Sequence, residues 1–387
     1  MDPTAFDELQ RTFTAQGPAA AIDQLCARLH AAKDYDGLFY ALLMKKRHEL
    51  GVCPVPTAPA QELPAAVHAA FEDGIRAAAR RVGGLYLEDR NLPAAWRYFQ
   101  IIGETAPVAE ALEQYQPGAE EDLQPLLHIA FYEGVHPRKG FDWLLERNGI
   151  CNAITTLGTV QLPSVELRRY CVGRLVRALY QELVERLQAD LAQRTGAEPA
   201  GAGLRELLAG HEWNFEEEYA HVDVSHLSSV VQMSVVLQPG PELELARELC
   251  EYGKRLSGRL QYGGDPPFED LYPAYGLYLA ALAGEQVEEA VAYFRAQAEA
   301  ADPETVGTYP AEVLVNFLLR LDRPAEALAA ARRWLANADG RQLSCPSIPE
   351  LCRQTGDYRT LAEVAREQGD AVHFVAGLAA LAWFTRR

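Results

Sequence analysis

The sequence predicts an all-α protein, an α-solenoid in which antiparallel helical hairpins stack into a superhelical array. Almost every segment places apolar residues at positions i, i+3, i+4 and i+7, and almost none shows the alternation of a half-buried strand. The predicted helices are mostly short and are joined by tight turns, which is the rhythm of stacked helical hairpins. With 387 residues, 49% of them hydrophobic, the chain has enough apolar surface to form a packed core.

The first three helices are identified by their boundary residues. Asp2 is a capping residue followed by Pro3 at the first helical position, and an apolar stripe continues that helix to residues 16–17. Pro18 begins a second helix that ends near residue 32. A third helix is predicted over about 35–51, because its apolar residues keep the same spacing.

Three closely spaced prolines interrupt the helical pattern between residues 52 and 60, so this stretch is predicted to be a linker or a wrapping loop. Further helices are predicted at about 61–89, 92–104, 106–115, 119–135, 137–148, 162–195, 202–210, 225–237, 241–257, 269–283, 286–301, 310–321, 324–337, 347–355, 358–368 and 371–385. The apolar stretch 371–384 in the last of these is too short to cross a bilayer. We expect it to form a buried closing helix.

Residues 76–109 carry the spacing of a known repeat. The residues that show it are Val82, Gly83, Tyr86, Ala95, Phe99 and Pro107. The segment resembles the tetratricopeptide repeat family, in which a small residue lets two antiparallel helices approach, an aromatic residue fills the groove and a proline closes the unit. It departs from the family at Ala79, where a large aromatic residue is common, and at Val82, where leucine is common.

Weaker copies of the second-helix signature occur elsewhere in the chain, at Ala21-Ile22 with Leu25, Ala290-Val291 with Phe294, and Ala327-Leu328 with Ala331. The resemblance thus extends at lower strength to 1–50 and 268–369. We expect TPR-like hairpins at 1–117 and 266–387 around an atypical central segment at 118–265, all in one continuous domain. The resemblance implies a scaffold that holds a ligand on its concave face, since tetratricopeptide-like proteins commonly do so.

Composition and charge narrow the classes of function. The 54 acidic and 36 basic side chains give a net charge of −18, which opposes binding to nucleic acid. The seven cysteines include no CxxC pair, so we expect reduced and mostly buried thiols in a reducing compartment. The acidic N-terminus lacks the features of a signal peptide, and a cytoplasmic protein without membrane contact is expected. Only five of the basic residues are lysines, a bias typical of GC-rich bacterial genes.

The central segment contains the main candidates for metal binding. Neutral imidazoles and carboxylates are ligands for zinc, iron, manganese or nickel, and the run 211–226 is enriched in both. The candidate ligands in this run are His211, His221, His226, Glu218 and Asp223. The alternative interpretation is that Asp223 or Ser225 caps a helix beginning near residue 225, with His226 on a partly buried face of that helix.

A second and weaker set of metal candidates lies at residues 128–136. Glu133 and His136 form a Glu-x-x-His pair, as do Glu218 and His221, and di-iron carboxylate bundles use this spacing to place two ligands on one helix face. His128 precedes this pair by one to two helical turns. A rigid site is less well supported here, because His136 falls at a predicted helix end.

The start of the helix at 137–148 is a candidate anion site. Arg138 and Lys139 would lie beside backbone N–H groups at the positive end of the helix dipole, although both charges could simply be solvated. The candidate catalytic residues are Glu218, Asp223 and Arg138. No P-loop or Gly-x-Ser-x-Gly motif occurs, so a divalent transition metal is the only cofactor that the residues suggest.

Two hypotheses of function follow from these patterns. In the first, the protein is a cytoplasmic binding or scaffold protein that recognises a peptide, a protein or a small ligand on its concave face. In the second, the central histidines and carboxylates form the site of a metal-dependent hydrolase, isomerase or oxygenase that acts on a small molecule.

Overall fold

A computed structural model describes residues 3–55, 63–196, 203–209, 219–302, 304–338 and 342–384. In these ranges the chain is all-helical, as predicted, and its extended pairing is limited to one isolated bridge between Gly263 and Asp270. None of the described helices combines the length and the apolar character needed to cross a membrane.

The backbone packs into two compact units, Met1–Arg147 and Asn148–Arg387. The first unit contains α1 (Pro3–Gln16), α2 (Pro18–Ala31), α3 (Tyr35–Glu49), α4 (His68–Glu88), α5 (Leu92–Ile101), α6 (Ala106–Gln114) and α7 (Gln124–Leu127). Helix α8 (Pro137–Thr159) passes from the first unit into the second and is interrupted at Gly149, whose φ is 79°. The division into TPR-like ends and an atypical centre stays a prediction.

The second unit continues with eleven helices in its described residues. These are α9 (Val165–Thr195), α10 (Leu204–Leu208), α11 (Val224–Met233), α12 (Pro241–Arg255), α13 (Leu271–Leu282), α14 (Val287–Ala300), α15 (Tyr309–Arg320), α16 (Pro324–Trp334), α17 (Ile348–Thr355), α18 (Tyr358–Gln368) and α19 (Ala371–Phe384). Most of their boundaries fall within two or three residues of the predicted ones, because prolines and glycines mark the ends locally.

Consecutive helices in the first unit pack as neighbouring pairs, from α1 with α2 through to α4 with α5. Gly83 lies at the closest approach of α4 and α5, where a Cβ atom would stand 2.7 Å from the ring of Phe99. Val82, Ala95 and Phe99 are buried around this crossing. The close approach expected of the small residue is therefore present.

The second unit is organised around α9. Leucines four residues apart form one buried stripe along it, at positions 175, 179, 183, 187 and 191. Helices α10, α11 and α12 pack against α9, and α12 to α19 then follow largely as sequential neighbours. The candidate sites of the second unit are therefore all positioned relative to one long helix.

Two predicted helices differ from the structure. The helix predicted at 119–135 is replaced by the single turn of α7 and a π-helical turn at His128–Tyr132, since Pro125 and Gly134 limit it on both sides. The residues after Gly149 form a second helical half of α8, which the sequence pattern did not indicate. Gly149 interrupts the helix without ending it, because its left-handed φ redirects the chain into a new helical start.

The prediction that the last helix is buried is wrong. Val372 is 77% exposed and Val375 is 60% exposed, whereas Gly377 lies close to α18, where its Cβ would meet the Tyr358 carbonyl at 2.9 Å. Helix α19 thus packs on α18 through one face only. None of the seven cysteines, all of which lie in the described residues, forms a disulfide, and Cys53 and Cys151 are the two that are exposed, as expected for reduced and mostly buried thiols.

Candidate functional site

Among the candidate metal ligands that lie in the described residues, His221 is the one that is completely buried, with 1% of its surface exposed. It lies in the loop before α11, where its Nε2 is 3.3 Å from Asp190 of α9 and its Nδ1 is 3.1 Å from the hydroxyl of Tyr252 on α12. The backbone N–H of His221 also donates to the Tyr252 hydroxyl at 2.8 Å. His221 therefore attaches the loop to both helices.

Burial and the neighbouring charges together determine the protonation state of the His221 ring. Burial lowers the pKa of His221 against the opposing effect of Asp190, so the ring is neutral at pH 7. Burial would raise the pKa of Asp190, but hydrogen bonds from Arg194 and His221 bring it below its usual value. Asp190 is thus an acceptor, which assigns the ring proton to Nε2 and makes Nδ1 an acceptor for Tyr252.

This hydrogen bonding limits what His221 can do chemically. Both ring nitrogens are engaged, so a metal ion would have to displace either Asp190 or Tyr252 from the ring. Burial raises the pKa of Tyr252 to about 12, so its hydroxyl is protonated and suited to donating to Nδ1. The arrangement is that of a neutral hydrogen-bonded staple between two helices and a loop.

The other candidates in the central run occupy different positions. Asp223 is the N-cap of α11 and accepts from the backbone N–H of Ser225 at 2.8 Å, which agrees with the capping interpretation. His226 follows on the first turn of α11 and is partly buried. His211 and Glu218 lie outside the described residues.

The candidates at 128–138 lie in the first unit and do not converge. His128 is 3.3 Å from one oxygen of Glu133, while the other oxygen accepts from the Trp96 indole at 2.6 Å. His136 pairs instead with Glu113 at 2.8 Å. Arg138 is exposed at the start of α8. In the described ranges, no three His, Cys, Asp or Glu side chains are grouped so that they could hold a metal ion.

Lys139, the second residue of the predicted anion site, has protein partners. Its ammonium donates to the backbone carbonyl of Glu113 and lies 5.6 Å from the centre of the Trp143 ring. These contacts tie the start of α8 to α6. Lys139 therefore contacts other residues of the protein at the position where the sequence predicted an anion site.

A cleft of about 530 Å³ in the second unit was not foreseen from the sequence. It lies between α10, α12 and α13, and we call it the charged cleft. Pro273, Leu277 and Ala280 of α13 form an apolar floor, and Gly276 leaves room for the Lys254 ammonium, which would lie 3.2 Å from a Cβ there. Its size falls within the range of sites for small ligands and short peptide segments.

One wall of the charged cleft is made by ion pairs of α12. Lys254 pairs with Glu251 at 2.6 Å, and Arg247 pairs with Glu244 at 2.8 Å and with Glu285 at 2.5 Å. The four of these residues that lie on α12 are three or four positions apart, so in the sequence they resemble an ordinary solvated helix face. This face forms one side of a cleft only because α13 packs beside it.

The opposite wall is α10, which is attached at both ends. The N–H of Leu204 donates to the Tyr180 hydroxyl at 3.1 Å, and that hydroxyl donates to Glu248 at 2.7 Å. At the other end, Arg255 donates to the carbonyl of Leu208 at 2.8 Å. These contacts satisfy helix-terminal groups that a five-residue helix could not satisfy by itself.

Arg205 differs from the other basic residues of the charged cleft. It lies on α10 and is exposed, and it makes neither an ion pair nor a hydrogen bond within the described part of the chain. The other basic residues of the cleft contact carboxylates or carbonyl groups. Among the described residues, a carboxylate that entered the cleft would compete at Arg205 only with the longer-range attraction of Glu285.

No protein-family model, no curated protein and no solved structure matches this chain. The function must accordingly be argued from the geometry of its own residues.

Proposed function

We propose that this protein is a cytoplasmic helical-repeat binding protein that takes a peptide segment of a partner into the charged cleft. The segment carries an apolar side chain next to a carboxylate. The observation that carries this proposal is the combination of an apolar floor on α13 with the Arg205 guanidinium, for which the described residues supply no hydrogen bond, in one cleft of about 530 Å³.

The floor would supply most of the binding free energy. Leu277 is half-buried and Pro273 is exposed, so an apolar side chain placed over them removes apolar surface on both partners from water. Such burial is worth roughly 25 cal/mol per Å² of apolar area, which makes one medium-sized side chain a useful anchor.

The charged groups would supply orientation and specificity. The ion pairs on α12 are already satisfied when the cleft is empty, so they add little attraction for a ligand. A charged group of the ligand that became buried beside them without a partner would be unfavourable. Arg205 would receive the carboxylate of the segment through charge-assisted hydrogen bonds. A basic segment would be repelled at the same position.

The proposal is tested by selecting peptides from a random library against the full chain and measuring the affinity of those enriched. We expect enriched peptides to share an apolar residue beside Asp, Glu or a C-terminal carboxylate. Leu277→Gln should weaken their binding by roughly tenfold, because it removes about one apolar contact from the floor. Arg205→Gln should weaken it by a factor of about five, as expected for one exposed charged contact.

Arg295→Gln is the matched control, since Arg295 is a half-exposed arginine of α14 that pairs with Glu326 at 3.0 Å and does not line the cleft. The Arg295→Gln variant should bind the peptides with the same affinity as the parent chain. Peptides that bind all three variants equally well would show that the charged cleft is not the binding site.

The second candidate function is metal-dependent catalysis at the central histidines. It is favoured by the joint position of His221 and Asp190, which is a pairing often used to orient a metal-bound imidazole. Elemental analysis of the untagged protein tests it. A stoichiometric metal that is lost from His221→Ala or His226→Ala without unfolding would support catalysis, and a metal-free protein would contradict it.

A further inference from the structure

Another cavity of the second unit, of about 550 Å³, lies among the end of α16, the start of α17, α18 and the start of α19. We call it the histidine cavity, because His373 of α19 lines it. Its base is apolar and is formed by buried side chains, namely Leu335, Ile348, Leu361, Val364 and Ala365. It shares no lining residue with the charged cleft, and its volume falls within the range of sites for small molecules.

The His373 ring is oriented by Asp370, which lies directly before α19. Nδ1 of His373 is 2.6 Å from one carboxylate oxygen of Asp370, and the other oxygen accepts from the backbone N–H groups of Val372 and His373, each at 3.0 Å. Asp370 is itself attached to α18, since its backbone N–H donates to the carbonyl of Ala365 at 2.8 Å. These contacts fix the position of the imidazole relative to both helices.

The contact with Asp370 also assigns the proton of the neutral His373 ring. Hydrogen bonds from the His373 side chain and backbone lower the pKa of Asp370, so its carboxylate is ionised and can only accept. In the neutral ring the proton is therefore on Nδ1, and Nε2 has a lone pair. Nε2 makes no hydrogen bond to any residue that the structure describes, and the side chain is 45% exposed. A ligand in the cavity can thus reach this acceptor.

The other polar side chains of the histidine cavity are already bonded to the protein. One oxygen of Glu350 accepts from the N–H and the hydroxyl of Ser347, both at 2.8 Å, in the capping box of α17. The side-chain amide of Gln368 donates to the carbonyl of Ala336. The described lining contains the carboxylates of Glu350 and Asp370 but neither lysine nor arginine. An anionic ligand would therefore be disfavoured, and a neutral one would not be.

We infer that the histidine cavity binds a small, neutral and largely apolar molecule that carries one N–H or O–H group. The apolar body of the ligand lies over Leu335, Ile348 and Leu361, and its N–H or O–H donates to Nε2 of His373. One oriented acceptor beside an apolar base selects such a ligand, because a molecule without the donor would cover Nε2 and leave it unsatisfied. This site does not depend on the peptide binding proposed for the charged cleft.

Indole and N-methylindole are suitable probes, because they differ in the N–H group that the inference requires. Each is titrated into the full chain, and binding is measured by calorimetry and by the thermal unfolding midpoint, which a ligand of the folded state raises. We expect indole to bind about fivefold more tightly than N-methylindole, the ratio expected for one neutral hydrogen bond. Benzoate tests for an anionic ligand, and tighter binding of benzoate than of indole would contradict the inference.

His373→Phe keeps an aromatic ring and removes Nε2, so its affinities for the two probes should lie within about twofold of each other. His226→Phe is the matched control and should keep the preference for indole, since His226 is a partly buried histidine of α11 that does not line the cavity. Ala336→Leu should weaken the binding of both probes by about fivefold or more, because the larger side chain takes up space in the cavity.

The inference is overturned if indole shows no saturable binding up to about 5 mM, or if the parent chain binds both probes equally well. It is equally overturned if His373→Phe keeps the preference for indole, or if Ala336→Leu leaves both affinities unchanged, since either result would place the probes elsewhere. If His373→Phe fails to fold, His373→Leu replaces it, because it removes the same nitrogen from a side chain that is 45% exposed.

Discussion

Among single residues, His221 determines how the loop before α11 is attached. Its ring and its backbone N–H together make three hydrogen bonds, which reach Asp190 on α9 and Tyr252 on α12. Arg186 adds a fourth contact by donating to the His221 carbonyl at 3.1 Å. A residue with this many buried partners contributes to folding in its own right, whatever further role the neighbouring loop has.

Replacing His221 by alanine is expected to lower the free energy of unfolding by about 2–4 kcal/mol. The substitution removes a buried ring and leaves polar atoms of Asp190 and Tyr252 without their partner. Urea denaturation followed by circular dichroism measures the effect. His226→Ala is the control and should lose less than about 1 kcal/mol, since His226 is only partly buried. Equal losses in the two variants would contradict the staple assigned to His221.

The lowered pKa of His221 also predicts a dependence of stability on pH. The unfolded chain takes up a proton at this position as the pH falls through about 6.5, whereas the folded chain resists protonation. The stabilising contribution of the neutral ring is therefore complete above that pH and is lost below it. Free energies of unfolding at about pH 7.5 and 5.5 should differ more in the parent chain than in His221→Ala.

At the scale of helices, the pair α4 and α5 shows how a sequence signature acts physically. Gly83 and Gly84 are adjacent in α4, but only Gly83 points at the neighbouring helix. Phe99 is 4% exposed and packed in the core, so its ring has little freedom to move away from an added methyl group. The two glycines therefore form a matched pair for measuring the value of close helix approach.

Gly83→Ala is expected to destabilise the protein by about 1–3 kcal/mol through overpacking against Phe99. Gly84→Ala should instead stabilise it by up to about 1 kcal/mol, because no atom lies within 4 Å of the new Cβ and alanine favours the helix. Thermal or urea denaturation of both variants provides the comparison. Changes of opposite sign in the free energy of unfolding would support the close crossing of α4 and α5, and changes of the same sign would argue against it.

Helix boundaries were predictable to the extent that local chemistry determines them. Pro18 at the start of α2 was assigned from sequence, and the predicted helix end at residue 148 coincides with the interruption of α8 at Gly149, since proline and glycine act through their own backbone. The exposure of Val375 on α19 was not predictable from the sequence, because an apolar run has the same pattern whether one face or both faces of its helix are covered.

For the molecule as a whole, the net charge of −18 opposes the approach of a large polyanion. At about 0.1 M salt the screening length is about 10 Å, so an extended nucleic acid would experience the acidic surface wherever it lies close to it.

We expect that a DNA or RNA duplex will not be retarded in a gel by this protein at concentrations on the order of 10 µM, a range in which non-specific binders form complexes. A salt-sensitive complex with the duplex would show that the acidic excess does not prevent binding to nucleic acid.

The sequence by itself determined the all-helical class, most helix boundaries and the small residue at Gly83, because each depends on periodicity or on the backbone chemistry of a few adjacent residues. Only the tertiary structure decided that Asp223 caps α11, that His221 joins two helices, and that α10, α12 and α13 enclose the charged cleft. Those facts depend on which helix faces pack together. Long-range packing energies decide that choice, and a local pattern does not record them.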